Sequence, residues 1–219
     1  MRYKNNFSLE FKLDTKLAYF SGVIMGDGYL KDGNKSKKSR FKDYLIKIEL
    51  IDKDYLTLLL NYVKTIIKTK SRIRTIIDKR PNRKKRYSLC IKNKWLHNFL
   101  VKELKIPSGK KSGEAFIPKE ILKNKEYLRY FIGGLFDTDG GKRGHTIGFT
   151  SKSRLLIDQL SKELTKLEIS HLKESWKNKK YNRYYHGIRL HKKSIDTFLN
   201  AFPIQNISKL AGVPERKMG

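Results

Sequence analysis

Apolar positions along this chain change period in a fixed order, and the order occurs twice. Leu17, Phe20, Val23 and Ile24 recur at helical spacing, as do Leu128, Phe131, Ile132 and Leu135. Asp14 or Thr15 is placed to cap the first of these helices. Residues 44–51 then alternate, with Tyr44, Ile46, Ile48 and Leu50 on one face and Lys47 and Glu49 on the other, which predicts a strand. A helix is predicted over 52–69, with Leu56, Leu59, Leu60, Val63 and Ile67 inward. A strand follows over 71–78, with Arg72 and Arg74 on one face and Ile73 and Ile77 on the other, and a return strand over 87–92. Residues 94–104 close the first half as a helix.

The second half repeats this order. Strands are predicted over 145–150, 170–177 and 184–191, with helices over 153–167 and 194–202 and an irregular tail from Pro203. Residues 31–42 read as a polar loop or hairpin, and residues 79–86 and 178–183 as basic turns. Pro107, Gly109, Gly113 and Pro118 mark a linker. The division is therefore 1–104 for one half, 105–118 for the linker and 119–219 for the other. Strands that return through short turns, with helices on one face, make this an α+β fold of two similar halves.

The two long apolar helices are themselves related. Aligned on Asp-Gly, FSGVIMGDG and IGGLFDTDG pair Gly22 with Gly134, Gly26 with Thr138 and Asp27 with Asp139, about half the chain apart. Residues four apart share a helix face, and small residues there let two backbones approach closely. The copies are thus expected to pack side by side. Asp27 and Asp139 then fall together at helix C-termini, where a negative charge is disfavoured by roughly 0.3–1 kcal/mol. A divalent cation held by carboxylates and by carbonyls such as those of Gly26 and Thr138 would remove that cost.

Charge narrows the partner. Fifty Lys and Arg against twenty-one Asp and Glu leave a formal net charge of +29, which points to a polyanion, most simply nucleic acid. The basic residues are interleaved with an apolar fraction of 38%, so a folded basic surface is expected, not basic tails. No apolar run reaches spanning length and no signal peptide is evident. Together with a single cysteine, Cys90, read as strand packing, this places the protein inside a cell, in cytoplasm, nucleoid or an organelle matrix, unsecreted and off the membrane. The five histidines show no zinc spacing.

A two-stranded ribbon fits the DNA major groove, where alternate side chains reach base edges. Arg72, Arg74 and Lys92 in one half, and Lys173, Lys177 and Arg189 in the other, have suitable parity, with Lys47 beside them. Lys84, Lys85 and Arg183 in the basic turns are better placed for phosphates, which set affinity without reading sequence.

The paired motifs resemble those of the single-chain LAGLIDADG homing endonucleases, the second copy more closely. Met25 stands where the motif's first acid would be, against Asp137 in the second copy. The resemblance implies two pseudo-symmetric αββαββα halves, motif helices at their interface, and sheets forming a saddle on double-stranded DNA. It implies site-specific double-strand cleavage by an intron-encoded, monomeric enzyme that uses Mg2+, with Mn2+ as a substitute and Ca2+ binding without cleavage. Asp27 and Asp139 would bind the metal beside Gly26 and Thr138. Lys142, Lys94 and Lys193 occupy positions where the family carries active-site lysines, and Glu49 and Thr150 those of its water-positioning residues, with Leu50 or Ile51 opposite Thr150 by strict alignment. Two other functions remain open on the same fold, an RNA maturase acting on intron RNA and a DNA-binding regulator that does not cleave.

Overall fold

The structure, a computed structural model, describes residues 12–31, 44–77, 84–109, 113–180 and 182–210. The first half runs α1 (Thr15–Gly26), β1 (Gly28–Leu30), β2 (Leu45–Leu50), α2 (Lys53–Ile66), β3 (Ile73–Ile76), β4 (Arg86–Lys92) and α3 (Lys94–Asn98). A short α4 (Lys119–Leu122) leads into the second half. There follow α5 (Lys125–Asp139), β5 (Gly140–Arg143), β6 (Thr146–Ser151), α6 (Arg154–Lys166), β7 (His171–Asn178), β8 (Arg183–Leu190) and α7 (Ile195–Ala201). The expected αββαββα pattern is present in both halves. Each half has one antiparallel four-stranded sheet, ordered β1-β2-β4-β3 and β5-β6-β8-β7.

Local chemistry starts most helices. Asp14 caps α1 through a 2.7 Å bond from Leu17 N–H, and Asp52, Asn93, Asn124 and Ser153 cap α2, α3, α5 and α6 in the same way. Each such cap is worth about 1 kcal/mol. The core then assembles by period. Ile46, Ile48, Leu89 and Ile91 face Leu56, Leu59 and Val63 of α2, while Phe149 and Ile188 face Leu156, Leu160 and Leu164 of α6. Phe136, Phe149, Phe198 and Phe202 form one aromatic cluster, with neighbouring ring centroids 4.7–6.0 Å apart.

The central contact is α1 against α5. Residues 17–25 of α1 are all buried, as befits a helix enclosed on every side. A β-carbon built on Gly22 would stand 2.9 Å from Leu135 N and 3.0 Å from the Phe131 carbonyl carbon. One on Gly134 would stand 3.0 Å from the Tyr19 carbonyl carbon. Only hydrogen at these positions lets the two backbones meet.

Several boundaries differ from expectation. The first motif helix reaches Gly26, with Asp27 as its C-terminal cap. Apolar periodicity does not locate β1 and β5, which the αββαββα pattern requires; they have three and four residues, too few to show alternation, and pair with β2 and β6. α2 ends at Ile66, short of Thr69. Ile77 lies beyond β3 and is 78% exposed, not inward. The helix over 94–104 changes after Asn98 to a π-helical turn, Phe99–Glu103. The final helix is shorter than expected, preceded by a 3-10 turn at Lys192–Ser194. Residues 32–42 of the polar loop or hairpin expected over 31–42, and residues 79–83 of the basic turn expected over 79–86, lie outside the described residues.

Candidate metal centre and nucleic-acid interface

The close helix pair delivers the acids to one place. Asp27 is exposed, at φ −95° and ψ 0°, and its N–H closes α1 onto Val23 O at 3.1 Å. Asp139 is the last residue of α5 and half-buried. A β-carbon on Gly26 would lie 2.8 Å from Thr138 Cβ and 3.4 Å from the Asp139 carboxyl carbon. The two helix ends therefore abut, with Gly26, Thr138 and both acids at the junction. Among the described residues no three His, Cys, Asp or Glu side chains gather as a metal cluster. Two carboxylates plus backbone carbonyls suit a hard cation that completes its shell with water and phosphate oxygen. They do not make a closed, nitrogen- and sulfur-rich zinc site.

Strand register places the flanking pair. Gly28 lies opposite Ile48, and Gly140 lies opposite Phe149. One residue further along, Glu49 and Thr150 are therefore structural counterparts, each on the sheet face away from the helices. This replaces Leu50 or Ile51 as the partner of Thr150. Glu49 lines a cleft of about 570 Å3 with Asp27, Arg86, Asn206 and Lys209, and pairs with Lys47 and, at 3.5 Å, with Arg86. Thr150 accepts a 2.6 Å bond from Arg143, which also reaches Glu174 at 3.2 Å.

Residues 126–202 match the family model of the LAGLIDADG-like domain. The chain carries a LAGLIDADG-like domain. Its fold as a whole is that of the two-motif LAGLIDADG homing endonucleases. It is similar to the homing endonuclease I-DmoI, with a TM-score of 0.66 and 19% identity over 86% of this chain and 94% of that one. It is also similar to I-WcaI bound to its DNA recognition sequence (TM-score 0.58, 16% identity, 91% of this chain and 88% of that one). The N-terminal LAGLIDADG domain of WhiA matches with a TM-score of 0.53 and 17% identity, over 90% of this chain and 86% of that one. Among curated sequences, the replication factor C small subunit of Methanocaldococcus jannaschii is 32% identical over 103 residues, 47% of this chain. The chain spans only 6% of that protein's length.

The helices α1 and α5 bring together Asp27, Asp139, Gly26 and Thr138; the two sheets bring Glu49 and Thr150 to flank them. The expected lysines divide differently. Lys142 is exposed on β5, but it lies opposite buried Ile147 and shares parity with Gly140, whose β-carbon position abuts the Phe136 ring. Its column is thus the core-facing one. Lys94 and Lys193 are not brought to the acids. Lys92 pairs with Leu45, four residues along β2 from Glu49, so Lys94 begins about 13 Å down the sheet at the usual strand rise. There its ammonium sits 5.9 Å over the Tyr44 ring and 5.7 Å over Trp95. Lys193 follows β8 in the equivalent place, past Leu190, whereas Thr150 pairs with Gly187.

On the saddle surface, Lys47, Arg74 and Lys92 fall on the outer face as expected. Arg74 lies opposite Ser88, which also faces Glu49. Arg72 is exposed just before β3, and Lys84 and Lys85 are exposed before β4, with Lys85 5.8 Å over Tyr87. In the second sheet Arg183 and Arg189 are outward, and Arg189 pairs with Glu174 at 2.9 Å. Lys173 and Lys177 are one residue out of phase. They lie opposite Ile188 and Tyr184, on the helix side, where Lys173 donates to Asp158 at 2.8 Å. A one-residue slip in register flips every side chain, and β7 carries charge on both faces, so its sequence does not reveal which column is outward.

Sequence reasoning missed Arg143, Trp176, Tyr185 and Lys152. These stack over the second sheet, with Arg143 5.0 Å over Trp176, Trp176 stacked on Tyr185 at 6.1 Å, and Lys152 5.5 Å over Tyr185. Glycines make the room. A β-carbon on Gly187 would lie 3.1 Å from the Trp176 ring. The signal available was the pair Gly148 and Gly187, interrupting strands that otherwise hold bulky residues.

Also missed was the role of Asp137. Its carboxylate is 1% exposed and accepts from Tyr19 Oη at 2.5 Å, Gln205 N at 2.8 Å and Asn206 N at 3.0 Å. Burial pushes its pKa up to about 6, against the lowering effect of those bonds. Tyr19 in turn bonds Tyr55 at 2.9 Å, and burial raises the pKa of both phenols. The described part of the tail, residues 203–210, is thus docked, not merely irregular.

Proposed function

We propose that this chain is a site-specific, metal-dependent double-strand DNA endonuclease of the homing type. The single observation that carries the reading is the junction where Asp27 and Asp139 meet at two abutting helix ends. One acid comes from each half, matching the two strands of a duplex. Glu49 and Thr150 flank it at equivalent register. The comparisons support the fold, and similar endonucleases have been studied with DNA and with Mn, Ca and Mg.

In this reading Asp27 and Asp139, with the carbonyls of Gly26 and Thr138, hold Mg2+, for which Mn2+ substitutes. The ion, when bound, stabilises the attacking and leaving oxygens of phosphodiester hydrolysis. The chain's own residues do the rest. Glu49 and Thr150 hold water against the scissile phosphates. Arg143 fixes Thr150 in place. The outward basic columns of both sheets neutralise phosphates and position base-reading side chains such as Arg74 and Arg189. Two motifs in one chain make a monomer sufficient.

The test begins with the protein, Mg2+ and a plasmid library of random sequence, reading the broken ends by sequencing. A cleaved duplex labelled on each strand is then given to Asp27→Asn and Asp139→Asn. Both variants should keep DNA binding, since each removes negative charge near phosphate. Both should lose the two cuts together, because an amide is a poor ligand for a hard ion and in this reading the two acids serve one centre. Full double-strand cutting by either variant refutes the reading and leaves a DNA-binding protein.

A further inference from the structure

A cation already stands at the junction of the LAGLIDADG helices, and it comes from the C-terminal tail. Lys209 Nζ donates to the backbone oxygen of Thr138 at 2.5 Å. Its side chain crosses β5 within 3.8 Å of the β-carbon position of Gly141. It lines the same cleft as Asp27 and Glu49.

The placement is built. Gln205 and Asn206 donate both backbone N–H groups to the buried Asp137 carboxylate. Asn206, 4% exposed, also donates through Nδ2 to the Asp137 carbonyl at 3.1 Å, and its own Oδ1 accepts from Ser208 at 2.6 Å. The 3-10 turn Ile207–Leu210 follows at once and delivers Lys209. The anchor is specific to the second motif, because the first carries Met25 at the position of Asp137.

On the nuclease reading above, we propose that Lys209 is a built-in competitor for the metal. It holds the Thr138 carbonyl and compensates the paired acids when no divalent ion is bound, and it must leave that oxygen when one binds. The physical reason is that Mg2+ and Mn2+ take oxygen ligands at about 2.0–2.2 Å. An ammonium nitrogen 2.5 Å from the same oxygen occupies that space and repels the ion. Without the ion, an ammonium at the last carbonyls of a helix is favourable, and here Asp27 lines the same cleft. The tail thus sets a threshold divalent concentration below which the site stays closed to metal.

The experiment is Mn2+ binding to the full chain, read by the electron spin resonance of free Mn2+, with no DNA and no turnover. Lys209→Met should tighten Mn2+ binding by about ten-fold, the order expected for removing one adjacent charge at intermediate dielectric. Arg86→Met removes a positive charge from the same cleft without touching the carbonyl, and should change affinity by less than about three-fold, as for a charge that keeps its distance. Thermal unfolding in EDTA gives a second reading. Lys209→Met should melt lower than wild type, and saturating Mn2+ should raise its Tm by more than it raises wild type's. Equal Mn2+ affinity in wild type and Lys209→Met, with Asp139→Asn abolishing binding, overturns the competitor and leaves the nuclease reading standing. Equal tightening by Lys209→Met and Arg86→Met overturns it too, since bulk charge would then suffice. Absence of Mn2+ binding to every form overturns the metal centre itself.

Discussion

Replacing Gly22 by alanine inverts the usual effect of a helical glycine. In an exposed helix interior that change stabilises by about 0.8–1 kcal/mol, because alanine loses less backbone entropy on folding. In α1 the new carbon would sit 2.9 Å from Leu135 N and 3.0 Å from the Phe131 carbonyl carbon. Ordinary carbon contacts begin near 3.5 Å, and the Phe131 carbonyl oxygen would lie closer than either of these atoms, so the helices must part by about an ångström along their central seam. The opposing atoms are backbone and cannot rotate aside. Overpacking of this kind costs about 1–3 kcal/mol and here overrides the propensity gain. For a chain of this size that corresponds to a Tm lower by roughly 2–4 °C per kcal/mol. Guanidinium unfolding should show a lower midpoint at unchanged slope. Gly134→Ala should behave alike, and the double variant should lose less than the sum, because one parting of the helices relieves both clashes. Cleavage should fall further than DNA affinity, since the parting separates Asp27 from Asp139. A Gly22→Ala protein more stable by about 1 kcal/mol, as an exposed helix would be, refutes the close seam and with it the shared centre.

Asp137 should leave a pH signature. Its folded pKa, raised to about 6, lies above the unfolded value near 4, so the folded chain holds this proton more tightly. The resulting stabilisation is complete below about pH 4 and is lost as pH rises through about 6, a change of roughly 3 kcal/mol at 1.4 kcal/mol per unit. Unfolding in EDTA from pH 4 to 7 should show that component in wild type and not in Asp137→Asn; identical profiles would remove it. Sheet register makes Arg189→Ala weaken or respecify DNA binding while Lys173→Ala, tied to Asp158 on the helix side, leaves it within about two-fold, a small surface effect; equal losses in a fluorescence titration would contradict the register. With six to ten phosphate contacts, log K against log salt should fall with a slope of about −5 to −9, and replacing Lys84 and Lys85 should reduce that slope on every sequence alike. Light scattering should report a monomer with and without DNA.

The hydrophobic periods, the two Gly-containing motifs and the excess of basic residues already determined two similar α+β halves, a side-by-side pair of helices ending in acids, and a basic surface; the full αββαββα order came from the resemblance those motifs carry. Those features are local. A period of two or of 3.6 is set by backbone geometry, and the small residues Gly22, Gly26, Gly134 and Thr138, four apart in each helix, mark a face made for close packing. Tertiary structure alone decided which strand column faces outward. Lys173 and Arg189 look equally suitable in sequence, because β7 and β8 carry polar residues on both faces and only pairing with Ile188 separates them. It also decided that Glu49, and not Leu50 or Ile51, matches Thr150, because register follows from Gly28 opposite Ile48 and Gly140 opposite Phe149. The distance of Lys94 and Lys193 from the acids follows from strand length, which their positions after a strand do not disclose. The tail is the clearest case. Asp137 and Asn206 are 69 residues apart, and nothing between them signals that a buried carboxylate holds the tail that carries Lys209 to Thr138.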